Sequence, residues 1–154
     1  LNKGGKYVFG LSAISNRREI LFPAETLEQY PVQKEGRIII FTGSKITGGF
    51  CVTSKQLLGQ SKLKHILDDC PALSQYTIDE GEFVRYTWLH ISQNGVVRLP
   101  ENTMRYLNLS CGDILMSIKS SDIAFTMGAR GPLMDKVHSY PDHIKEYRVT
   151  CCGQ

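Results

Sequence analysis

The four histidines stand at positions 65, 90, 138 and 143, and no carboxylate or nucleophile sits at a spacing that implies partnership with any of them. General acid–base or nucleophilic catalysis needs such partners within hydrogen-bond reach, so the chain reads as a non-enzyme. His138 and His143 with Cys151 or Cys152 follow no established ligand spacing. The five cysteines are odd in number and include no paired CxxC. Neither a structural zinc site nor a disulfide framework is expected, and the thiols read as free. "GGKYVFG", "TGSKITGG" and "GARGP" lack the strand-to-helix context of a phosphate loop and read as turns, so no cofactor is expected. Arginine chemistry remains. Residues 1 to 22 carry Lys3, Lys6, Arg17 and Arg18 against Glu19 alone, while Asp79, Glu80 and Glu82 make an acidic stretch mid-chain. The net charge of +3 does not by itself identify a nucleic-acid binder, but the basic end is a candidate surface for phosphate.

The elements that would position these residues occur twice. "EILFPAETLEQYPV" (19–32) and "VVRLPENTMRYLNL" (96–109) share a strand, a proline and a short helix. Setting Pro23 on Pro100 gives an offset of 100 − 23 = 77, at which Ile14 and Ser15 meet Ile91 and Ser92, Thr26 meets Thr103, and Ile20 meets Val97. After a one-residue gap, Gly36 meets Gly112, Ile38 to Ile40 meet Ile114 to Met116, and Ser44 meets Ser120. The shared order indicates an internal duplication.

Each unit is expected to be ββαββ. "KYVFGLSAI", the turn "SNRR" and "EILF" form a hairpin. Pro23 cannot donate to a ladder, but its fixed φ suits the start of the helix "AETLEQY". "RIIIF", a glycine-rich turn and "FCV" complete the unit. The second follows with "EFVRYTWLHI", the turn "SQNG", "VVRL", the helix "ENTMRYL", "DILMSIK" and "IAFTM". The predicted organisation is a first unit at 7–52, a helical linker at 53–80, a second unit at 81–127 and a helical or irregular tail at 128–154. Units of about 45 residues bury too little to stand alone, so the halves should pack together. In the linker, Thr53 or Ser54 can cap a helix carrying Leu63, Ile66, Leu67 and Cys70 at helical spacing. Its polar face holds Lys55, Lys62, Lys64 and His65, and Pro71 stops it. No apolar run approaches the roughly 20 residues needed to cross a bilayer, and "LNKGGKYVFG" is not a signal peptide, so a cytoplasmic protein without a membrane partner is expected.

The order of strand, Pro, helix, apolar residues seven and nine positions after the Pro, and a Gly or Asp turn resembles the AbrB/SpoVT swapped-hairpin domain (MazE/MraZ-like). Pro23, Tyr30 and Val32 match in the first unit, and Pro100, Leu107, Leu109, Gly112 and Asp113 in the second. Two copies in one chain, each trailed by a helix, are similar to the tandem MraZ arrangement. The resemblance implies a mainly β, α+β fold with the two units in one pseudo-twofold β-barrel. It also implies a bacterial DNA-binding transcription regulator that uses basic residues at one barrel end. MraZ-like Asp and Arg positions before the Pro are Ser15 and Glu19, then Ser92 and Val96. Of the arginines usual after the Pro, only Arg105 is in place. The candidate DNA-binding residues are therefore Arg105 with Arg17 and Arg18 in the first turn, Asn94 in the second, and Arg98, which alternation sets opposite the inward Val97 and Leu99. A guanidinium grips phosphate or a guanine edge in bidentate fashion. DNA is the expected partner, with homo-oligomerisation to gain avidity. A non-enzymatic, antitoxin-like or sporulation-related interaction module that has lost DNA binding is the alternative. A small-molecule sensor is a third.

Overall fold

"RIIIF" and "DILMSIK" are rich in apolar and β-branched residues, which suit a pleated surface buried on both faces. Both become central strands of the computed structural model, which describes residues 2–3, 6–42, 46–59, 86–135 and 144–149. The strands are β1 (Asn2–Lys3), β2 (Lys6–Ala13), β3 (Glu19–Leu21), β4 (Arg37–Thr42), β5 (Phe50–Thr53), β6 (Tyr86–His90), β7 (Val96–Arg98), β8 (Ile114–Lys119), β9 (Phe125–Gly128) and β10 (Glu146–Tyr147). The short helices are α1 (Ala24–Gln29), α2 (Lys55–Gly59), α3 (Glu101–Leu107) and α4 (Pro132–Asp135), with a 3₁₀ turn at Val32–Glu35. The protein is thus mainly β, of α+β class, as the sequence implied.

The main sheet runs β1-β2-β8-β9-β5-β4-β6, with β10 added in parallel on β2, while β3 and β7 form a separate two-stranded ribbon. This corrects two expectations. The sheet is not closed into a barrel, because both edges of β2 are taken. β8 holds one, and β10 and β1 hold the other, with Leu11 N donating to Lys145 O at 2.9 Å. The Tyr147 ring lies so close to Gly10 that a Cβ there would stand 3.0 Å from it. Residues 7 to 22 are also not a hairpin ladder. The turn forms, but β3 leaves β2 and pairs antiparallel with β7.

Strand register obeys one rule. Ile20, at the centre of β3, faces Val97, 77 positions on. Leu11 faces Met116 and Ser12 faces Leu115. Adding 77 to the first member and subtracting it from the second gives Trp88 with Ile39 and Leu89 with Ile38, which are the observed β6–β4 pairs. The offset therefore persists through β4 and β8, and the one-residue gap at Gly36 is not needed there. The shift comes later, in the hairpin loops, because Phe50 faces Met127 and Val52 faces Phe125, pairs that exchange at an offset of 75.

Pro23 and Pro100 end the strands and begin α1 and α3 with φ of −56° and −62°. Leu27 N and Met104 N close the first turns onto the proline carbonyls. α3 stops at Asn108, left-handed at φ 56°, a conformation that a short polar side chain tolerates. The main core draws on both halves. Ile20, Phe22 and Phe50 pack with Val97, Leu99 and Phe125, and the Phe22 and Phe125 rings meet edge to face at 5.3 Å. A smaller cluster of Val8, Leu11, Met116 and Ile118 is covered by Ile144. In the linker, Ser54 Oγ accepts from Leu57 N at 3.2 Å to start α2. Lys62, Leu63, Lys64, His65, Ile66, Leu67, Cys70 and Pro71 lie outside the described residues, as do the acidic stretch and residues 136–143 and 150–154 of the tail.

Candidate nucleic-acid interface

Two turns of like construction stand at either end of the β3–β7 ribbon. In the first, Ser15 N donates to Glu19 O at 2.9 Å and Arg18 N to Ser15 O at 3.0 Å, while Ser15 Oγ accepts from Glu19 N and Arg17 N. In the second, Ser92 N donates to Val96 O and Gly95 N to Ser92 O, each at 3.0 Å, and Ser92 Oγ accepts from Val96 N. A serine opens both because its short hydroxyl reaches the backbone of its own turn. The fourth position has a positive φ in each, 63° at Arg18 and 88° at Gly95. Glycine adopts this freely, whereas a side chain there costs about 1–2 kcal/mol. Leu99 N then donates to Arg18 O and Phe22 N to Gly95 O, which ties each turn to the opposite half of the chain.

The strained arginine is held by its side chain. Arg18 Nε donates to Leu99 O at 3.0 Å, and Nη1 lies 3.4 Å from Glu101 Oε1, with the side chain 26% exposed. Backbone strain of this kind persists where the surroundings over-determine it, often at functional sites. Arg98 precedes Leu99 and is exposed, with Val97 turned into the core and Glu19 opposite in the ladder. Arg105 is exposed one turn beyond Glu101 on α3, so the two share a helix face. Arg17 is exposed beside Arg18. Four of the five candidate residues are thus gathered where β7 meets α3, with Glu19 and Glu101 among them.

Asn94 is exposed in the other turn, at the far end of the ribbon. Its surroundings differ in charge. Glu28 is exposed on α1, and Glu25 accepts a hydrogen bond from the Tyr7 phenol. That bond, with smaller contributions from burial and the Glu25 charge, raises the Tyr7 pKa. The neighbouring Gln93 donates to Gln33 O at 3.1 Å. Among the described residues, cations near this end include Lys34 on the 3₁₀ turn, Lys55 beside Gln56, whose N donates to Glu35, and Arg37, whose guanidinium lies 5.5 Å from the centre of the Trp88 ring.

Glu101 and the Leu99 carbonyl, which orient Arg18, were not read from the sequence. The left-handed position of Arg18 was not read either, although the offset of 77 sets it on Gly95 and so carried the signal, while the Glu101 contact needs the tertiary fold. His90 is exposed, with its ring edge-on to Trp88 at 5.0 Å. Cys51 and Cys111 are free thiols, and burial pushes the Cys51 pKa up despite its contact with Thr126. Among the described residues, no group of three or more His, Cys, Asp or Glu is placed to hold a metal ion, and no helix is long and apolar enough to cross a membrane. Cys70, Cys151, Cys152, His65, His138 and His143 lie outside the described residues. No protein-family model matches the chain, and no curated protein matches it.

Proposed function

We propose that the chain is a cytoplasmic DNA-binding transcription regulator of the AbrB/SpoVT type, built from two duplicated swapped-hairpin units whose strands interleave about a pseudo-twofold axis between Ile20 and Val97. The register rule supports the architectural part of this reading. In it, the first strand of each unit pairs with the third of the other, as β2 does with β8 and β6 with β4. The observation that carries the functional part is the gathering of Arg17, Arg18, Arg98 and Arg105 around the β7–α3 corner. Arginines so grouped neutralise phosphates and release counterions, which gives salt-dependent affinity. A fork fixed by Leu99 O and Glu101 loses less side-chain freedom on gripping an anion than a mobile one.

One observation favours a second reading, a protein-interaction module without DNA binding. Glu101 contacts Arg18 and Glu19 stands opposite Arg98, so carboxylates offset part of the local positive charge. Fluorescence anisotropy with labelled duplex DNA at roughly 50 to 200 mM salt separates the two. The regulator reading expects affinity that falls steeply with salt and is lost in an Arg18→Ala/Arg98→Ala/Arg105→Ala variant that remains folded. Absence of binding at the lowest salt refutes it and favours the interaction module.

A further inference from the structure

We infer that the DNA contact is one-ended: only the β7–α3 end of the ribbon engages phosphate, and each single chain therefore takes a directional half-site rather than a palindrome. This rests on the regulator reading above. The offset of 77 that relates the strand pairs also relates the two ends, and it assigns every arginine of the first end a counterpart at the second. Arg17 corresponds to Asn94, Arg18 to Gly95, Arg98 to Leu21 and Arg105 to Glu28. No counterpart is basic, and the last reverses the charge on an exposed helix face.

Two equivalent binding ends related by a twofold axis read a sequence with the same symmetry, which is why symmetric dimers select palindromes. Here the backbone approximates that symmetry while the charges break it. A phosphate that Arg105 attracts at one end meets Glu28 at the other. Lys34 and Arg37 do not restore the balance by position, because they lie on the 3₁₀ turn and β4 and correspond to Cys111 and Ile114 rather than to any arginine of the first end. Gly95 lacks the side chain that at Arg18 reaches Leu99 O and Glu101. The second end thus faces away from the duplex or lies over it without gripping it.

The test compares four proteins, wild type, Arg18→Ala/Arg105→Ala, Lys34→Ala/Asn94→Ala and Glu28→Arg, on a labelled random-sequence duplex across a salt series, with folding checked by circular dichroism. All the altered side chains are on exposed or partly exposed positions. The one-ended site expects the first double variant to lose at least tenfold in affinity and the second to stay within twofold of wild type. Glu28→Arg should bind several-fold tighter, with a log–log salt slope steeper by roughly one unit for the phosphate gained. Equal losses from the two double variants overturn the one-ended site while leaving the regulator reading intact. A wild-type protein that binds no duplex at low salt overturns the regulator reading itself, and the one-ended site with it.

Discussion

Gly49→Ala should be among the most damaging single-methyl additions to this chain. Gly49 precedes β5 with φ at 62°, and a Cβ built there would stand 1.9 Å from Met127 O and 3.0 Å from Met127 C. Both obstructing atoms are backbone of β9, and Met127 is the residue that Phe50 faces across the ladder. Relief therefore requires the start of β5 to separate from β9 by more than an ångström. The cost combines about 1–2 kcal/mol for a left-handed side chain, about 1–3 kcal/mol for overpacking and about 1 kcal/mol for a weakened ladder hydrogen bond, or about 3–6 kcal/mol in all. Gly36→Ala isolates the first of these, because Gly36 has a similar φ of 73° and nothing within 4 Å of its Cβ position, so it should cost only about 1–2 kcal/mol. Urea unfolding followed by the fluorescence of the single tryptophan, the buried Trp88, measures both. Against a typical stability of about 5–15 kcal/mol, Gly36→Ala should remain folded while Gly49→Ala is strongly shifted or unfolded at rest. Equal losses for the two variants would refute the close approach of β5 to β9.

Three further outcomes are expected. Thr26 Oγ1 and Ser117 Oγ are hydrogen-bonded at 2.9 Å in the core, so Thr26→Val should cost about 1–2 kcal/mol by stranding the serine, and adding Ser117→Ala should recover part of it in a double-mutant cycle. The Tyr30 phenol donates to Ser121 O, and its pKa is raised above the ordinary 10.0, first by burial and then by the Asp122 charge. The folded state therefore holds this proton more tightly than the unfolded state does. That stability is full below pH 10.0 and is lost as pH rises through the folded value, so alkaline unfolding should be shallower in Tyr30→Phe. Peptide mapping after brief alkylation should find Cys111, which is exposed, labelled ahead of Cys51, whose pKa is raised chiefly by burial.

Much of the local architecture was legible because it depends on near neighbours. The boundaries of α3 match "ENTMRYL" since Pro100 cannot extend a ladder and Asn108 can take the left-handed stop. The offset of 77 was legible from Pro23 and Pro100. The location of its break was not, because Gly36 and Gly112 invite alignment while the strand register keeps them one position out of step. The open sheet was hidden because it depends on Glu146 and Tyr147 reaching Leu11 and Ser12, a pairing that no local pattern announces. At the candidate site, arginine types and turn positions could be read, but Arg18 meets Glu101 only through a ribbon joining residues 77 apart. For the same reason Asn94, grouped with the arginines by its turn, lies at the opposite end.

The exchange of strands between the halves also governs how the molecule comes apart. Were residues 86–135 to detach, β2 would lose β8, β3 would lose β7, β4 would lose β6 and β5 would lose β9, leaving the first half little beyond the β4–β5 pair and the edge additions to β2. A lone hairpin is marginal in water, so no partly opened form with one intact half is stable. Amide protons of β4 and β8 should therefore exchange through the same global opening, with equal free energies. Refolding must bring Leu11 to Met116 before much of the sheet exists, and closing loops of that length should make it slow.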